Sequence, residues 1–185
     1  KTDLLSLNTM LDTNTPFFMY FLDCQPEELK NPRRSEVSQL RTMAEEEGIN
    51  CECSAIKNIK ALLTAMSDSL FLLIEKYDPI PYIIHISAAG DSEGIIFQNG
   101  ERIDWAELRR FFIGANRLSG FRLILCLSSR DSFDGIQMGL EDNDIQQSPF
   151  CYLLGQEGVI DTATTVDAYR VFYRNLLNGL SPENA

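Results

Sequence analysis

Two short apolar runs of this chain end where a reaction centre belongs, and both endings are poor in reactive groups. Residues 82–90 are Tyr-Ile-Ile-His-Ile-Ser-Ala-Ala-Gly, and residues 122–130 are Arg-Leu-Ile-Leu-Cys-Leu-Ser-Ser-Arg. Runs of this kind are buried strands opening into loops. In open α/β sheets, ligands and catalytic groups gather at the carboxyl ends of such strands. Nucleophilic catalysis there needs a nucleophile beside a base. The Ala89 side chain transfers no protons, and Arg130 is permanently protonated and only donates. Ser128 and Ser129 have no base near them in the sequence. His85 and Cys126 each lie four positions before Ala89 and Arg130. Inside apolar runs they read as a packed core pair on neighbouring strands, out of a substrate's reach. Asp91 and Asp131 flank the two endings and are candidates to hold a basic side chain, or to pair with Arg130 and shut the cleft. The candidate binding set is therefore Asp91, Ser128, Ser129, Arg130 and Asp131.

Composition narrows the remaining classes. The five cysteines, Cys24, Cys51, Cys53, Cys126 and Cys151, are odd in number and show no disulfide spacing, which points to a reducing, cytoplasmic setting. Cys51 and Cys53 share one face of a strand. A zinc site would need two further ligands and the chain has one His, so no metal is expected, nor any other cofactor. The net charge of -11 argues against nucleic acid as a partner, and the isolated pairs Arg33-Arg34 and Arg109-Arg110 read as solvated faces. Apolar runs such as Leu70-Phe71-Leu72-Leu73-Ile74 are too short to span a bilayer, and Asp3 interrupts any signal peptide. A chain of 185 residues suits a single domain spanning 1–185. Gly179 suits a helix end, and Ser181-Pro182 reads as the cap and first residue of another helix. A longer natural protein is therefore expected.

The elements that must position the two endings follow from periodicity. Strands are expected at Pro16–Asp23, Ile49–Ala55, Ile80–Ser87, Phe121–Leu127 and Phe150–Gly155. Helices are expected at Glu36–Glu47 and at Asn58–Tyr77, the latter with Ile59, Leu62, Leu63, Met66, Leu70, Leu73, Ile74 and Tyr77 on one stripe and a stop at Asp78-Pro79. Asn99-Gly100 marks a hairpin between Gly94–Phe97 and Arg102-Ile103. Asp104-Trp105-Ala106-Glu107 is a capping box, with Ile103 and Leu108 spaced to form its hydrophobic staple, and that helix should run to about Asn116. A short helix over Phe133–Glu141, a mobile acidic loop over Leu140–Ser148 and a last helix over Thr165–Asn178 complete the reading. Strands alternating with helices predict an α/β fold with a mostly parallel sheet covered on both faces.

In these features the chain resembles the caspase-like peptidases, and within them the bacterial CHAT group. That group closes the first run in His-Gly and the second in small residues followed by Cys. Here Ala89 precedes Gly90, and Arg130 follows Ser128-Ser129. The resemblance covers about Phe17 to Ala185 and includes the Asn99-Gly100 hairpin, the Ile103-Asp104-Trp105 helix start and the closing segment from Val166 to Ser181. It implies a three-layer α/β/α sandwich with a small hairpin after the third strand. By position it puts Ala89 in place of the acid–base His, Arg130 in place of the nucleophile, and Gly90 as a remnant oxyanion donor. With the dyad gone, it implies a pseudopeptidase that docks or regulates a protein partner, in bacterial antiphage defence or programmed cell death. The partner is a peptide or protein in the remnant cleft, or another domain of the same protein. The rival readings are an Arg- or Lys-directed cysteine peptidase inactivated by replacement of its dyad, and a purely structural domain of a larger protein.

Overall fold

The computed structural model describes residues 17–25, 35–77, 82–140 and 144–185. Several expectations fall outside these residues: the strand start at Pro16, the Arg33-Arg34 pair, the helix stop at Asp78-Pro79, the strand start at Ile80, and residues 141–143 of the acidic stretch.

Five strands form the central sheet: β1 (Phe18–Asp23), β2 (Cys51–Ala55), β3 (Tyr82–Ser87), β7 (Ile124–Ser128) and β8 (Tyr152–Leu154). Their order is β2-β1-β3-β7-β8, and every neighbouring pair is parallel. β1 and β3 are buried along their whole length, which is why their sequences run apolar without alternation. Helices α1 (Glu36–Glu46) and α6 (Thr162–Leu177) cover one face, packing Val37, Leu40, Met43, Tyr169 and Tyr173 against Met19, Phe21 and Ile83. Helices α2 (Ile59–Thr64), α3 (Leu70–Tyr77) and α4 (Trp105–Leu118) cover the other, burying Leu62, Leu70, Leu108 and Phe112 against Phe18, Tyr20 and Ile84. The fold is thus an α/β/α sandwich with a mostly parallel sheet, as expected.

A small antiparallel sheet of β4 (Ala89–Asp91), β5 (Gly94–Ile96) and β6 (Arg102–Asp104) follows β3. The hairpin at Asn99-Gly100 is present, with Gly100 at φ 83 and Ile95 opposite Ile103. The third strand, β4, has no apolar alternation to announce it. Asp104 caps α4 by accepting from the Glu107 amide at 2.7 Å, and the Trp105 amide donates to the Glu93 carbonyl, tying the helix start to the hairpin.

Several boundaries moved for physical reasons. The expected single helix from Asn58 to Tyr77 is interrupted by a π-helical turn, Ala65–Ser69. Of the expected apolar stripe, Leu63 is exposed, while Met66 is buried together with Ala65. β7 begins at Ile124 rather than Phe121, because Gly120 and Phe121 are left-handed (φ 65 and 63) and finish α4, the Phe121 amide bonding the Asn116 carbonyl at 2.8 Å. α6 starts a turn early because Asp161 accepts from the Ala163 and Thr164 amides. The expected short helix is a 3₁₀ turn (Ser132–Ile136) continued by α5 (Gln137–Leu140).

The described part of the acidic stretch is pinned rather than loose. Residues 145–147 form a 3₁₀ turn, and Arg109, Arg117 and Asn116 of α4 donate to the carbonyls of Gln147, Gln146 and Ser148. Arg109, expected on a solvated face, also bonds the Met138 carbonyl at 2.8 Å.

β8 leads into a segment held against the turn after β7. Gln156 and Phe133 bond through their backbones, and Gly158 donates to Asp131 Oδ1 at 2.7 Å. A Cβ on Gly155 would fall 2.6–2.8 Å from backbone atoms of Phe133 and Ser132. Backbone cannot step aside as a flexible side chain can. Gly155→Ala should therefore cost about 2–3 kcal/mol, read as a lowered urea midpoint. A midpoint equal to the parent's would show that this packing is not maintained in solution.

Candidate functional site

The carboxyl ends of β3 and β7 lie side by side. Ser87 stands opposite Ser128, and the Ala88 amide donates to the Ser128 carbonyl at 3.1 Å. Beyond that rung the two strands part, one into β4 and the other, through Asp131 at φ 53, into the 3₁₀ turn. Gly90 remains close to the second ending: a Cβ there would lie 3.0 Å from Ser129 Oγ. The fold therefore brings the two endings singled out in the sequence to one place.

The side chains at this place are unreactive. Ala89 is exposed on β4, opposite Ile96. Arg130 is 62% exposed and pairs with Asp131 at 3.2 Å. It has no pairing with Asp91, contrary to expectation. The β4-β5-β6 sheet brings Arg102 to Asp91, which accepts from that guanidinium and from the Glu93 amide. An exposed ion pair contributes only about 0–1 kcal/mol, so the Arg130–Asp131 pair does not hold a cleft shut. Ser129 is the exception to this saturation. It is 4% exposed, and its Oγ has no hydrogen-bond partner. A buried hydroxyl left in this state costs about 1–3 kcal/mol.

Beneath the strand ends, on the α1–α6 face, lies a polar cluster that the sequence reading missed. Glu36, in the first turn of α1, is only 8% exposed. Its Oε2 accepts from Ser87 Oγ at 2.9 Å and from Ser128 Oγ at 2.7 Å. Its Oε1 meets His85 Nε2 at 2.8 Å, and His85 Nδ1 meets the Tyr173 hydroxyl at 2.6 Å. A carboxylate only accepts, so His85 carries its hydrogen on Nε2, and in the neutral ring the Tyr173 hydroxyl donates to Nδ1. Tyr169, packed edge-on against the imidazole, donates instead to the Leu127 carbonyl. Burial pushes the Tyr169 and Tyr173 hydroxyls well above the ordinary phenol range.

This cluster corrects the expectation that Ser128 has no base nearby. A carboxylate touches its hydroxyl. Yet that oxygen is shared with Ser87, Ser128 is 5% exposed, and His85 is wholly buried. The group is closed to a substrate and acts as an internal brace. Ser128 thus belongs to the brace and Ser129 is buried beside Gly90, whereas Arg130 and Asp131 remain at the strand-end surface. A signal was present: His85 with Ser87, and Cys126 with Ser128, fall on the same face of their strands by the two-residue period. Four polar or polarisable residues on one buried face need a partner. What the period does not reveal is which acid supplies it, because a glutamate in a first helical turn reads as a solvated complement to the helix dipole.

Cys126 is fully buried in register with His85, and burial pushes its thiol up to about 12. The thiolate is therefore scarce at neutral pH. A water-soluble thiol reagent should modify exposed Cys53 rapidly and Cys126 only on unfolding, as mapped by mass spectrometry. Fast labelling of Cys126 in the native protein would refute the closed geometry.

Among the described residues, no group of three or more His, Cys, Asp or Glu is arranged to hold a metal ion, and no helix is long and apolar enough to cross a membrane. No protein-family model matches the chain, and no curated protein matches it.

Proposed function

We propose that this chain is a catalytically silent, caspase-like domain of the CHAT type, which binds a protein segment at the carboxyl ends of β3 and β7. One observation carries the reading: the two endings that hold a His and a Cys in that group converge here, and they present Ala89 and Arg130. Removing either member of a nucleophile–base unit abolishes most of the rate, and here neither is present. The remaining groups suit binding. Arg130 and Asp131 offer charge at the rim. The partner is a peptide or protein, and the setting is bacterial defence or programmed cell death. A cytoplasmic location goes with this reading, supported by five cysteines that form no disulfide among the described residues.

The test restores what is missing. A double variant, Ala89→His with Arg130→Cys, is treated with a peptide chloromethyl ketone carrying Arg in the first position. A neighbouring base raises the reactivity of a nucleophile, so labelling at position 130 should be about tenfold or more faster in the double variant than in Arg130→Cys alone. Equal rates would show that positions 89 and 130 do not face one another as a dyad, and the caspase-like reading would lose its main support.

A further inference from the structure

We infer that Glu36 is a positioning residue: its carboxylate clamps the carboxyl ends of β3 and β7 together and thereby sets the spacing of Ala89 and Arg130. The geometry that carries this is the sharing of one oxygen. Ser87 Oγ and Ser128 Oγ come from adjacent strands, at positions opposite each other in the register, and both donate to Glu36 Oε2. A carboxylate oxygen has room for two donors, so one atom bridges two strands. The bridge sits where backbone pairing runs out. Ser87 and Ser128 are the last paired residues, and the Ala88 amide to the Ser128 carbonyl is the final rung before the chains part. Strand ends open more readily than strand centres, and the clamp supplies side-chain bonds at that point. Ala89 and Arg130 each lie two residues beyond a clamped serine.

The clamp is itself anchored. Ser35 caps α1, accepting from the Ser38 amide at 3.1 Å, which fixes the turn that carries Glu36. The other carboxylate oxygen is held by His85, whose far nitrogen bonds Tyr173 of α6. Helices α1 and α6 are thereby connected to the strand ends through three side chains, and a displacement of α1 withdraws the carboxylate from both serines at once. The inference rests on the proposed site only for the identity of residues 89 and 130.

Hydrogen exchange of single amides tests the clamp without any bound peptide, so its outcome is separate from that of the dyad-restoring experiment. In the variant Ser87→Ala with Ser128→Ala, the Ala88 amide should exchange about tenfold or more faster than in the parent, in excess of any change at Ile84 and Leu125 in the middle of the same strands. Glu36→Leu should give the same local pattern, and adding it to the double serine variant should accelerate Ala88 no further. If Glu36→Leu does not fold, the double serine variant decides alone. A contribution to overall stability only would move all three amides by the same factor, and that result overturns the inference. So does an Ala88 rate unchanged from the parent.

Discussion

Ile103→Asp should strongly destabilise the domain and lower its urea midpoint far below the parent's. Ile103 is 1% exposed and lies with Leu108, Trp105, Phe97 and Ile95 in the core on the α4 face. It precedes the Asp104 cap, and Leu108 stands four residues past that cap, so the two side chains form the staple that sets the entry of α4. The substitution removes the apolar contact and places a carboxylate among buried apolar side chains. Losing the buried side chain and burying an unpaired polar group together cost about 4–6 kcal/mol. Domains of this size have about 5–15 kcal/mol in total. Ile103→Val, which only trims a methyl group, should cost about 1 kcal/mol. The measurement is the urea midpoint of both variants by far-UV circular dichroism. An aspartate variant that melts with the parent would show that the hairpin–helix junction is not packed as described.

Glu36→Ala should be nearly as damaging, although glutamate is the residue type least expected to matter inside a protein. Its removal leaves His85 Nε2, Ser87 Oγ and Ser128 Oγ without their acceptor in a place closed to bulk water. Breaking a buried charged network from one side typically costs about 3–5 kcal/mol, less whatever an entering water recovers. Glu36→Gln keeps the shape and one acceptor oxygen, and its loss should be about half as large or less. The penalty comes from stranded partners. Glu36→Ala added to Ser87→Ala with Ser128→Ala should therefore cost clearly less than it does alone, a coupling that a thermodynamic cycle measures directly. Additive losses would mean that the serines and the glutamate do not share their hydrogen bonds in solution.

What could be read along the chain and what could not divide by the range of the interaction responsible. The largely apolar runs of β1 and β3 announced buried parallel strands, because a strand covered on both faces shows little polar side chain. Asn99-Gly100 announced its hairpin, and Asp104 with Glu107 announced the start of α4, because turns and caps are made by residues a few positions apart. Where the two strands end was legible as well, since both runs close in small residues. The π turn at Ala65–Ser69 was not, nor was β4. Each is imposed by packing against neighbours that the local pattern does not contain.

The sequence by itself determined the parallel α/β architecture, the alternation that points His85, Ser87, Cys126 and Ser128 to one face, and the lack of a reactive pair at Ala89 and Arg130. The tertiary structure alone decided which groups meet. It put Arg102 on Asp91, left Arg130 to Asp131, and folded Glu36 from another element onto Ser87 and Ser128, 51 and 92 residues away. Side-chain periodicity is a property of the local backbone, whereas a hydrogen bond between distant residues exists only once packing has closed the chain on itself. For that reason the strands that frame the site could be foreseen, and the carboxylate that braces it could not.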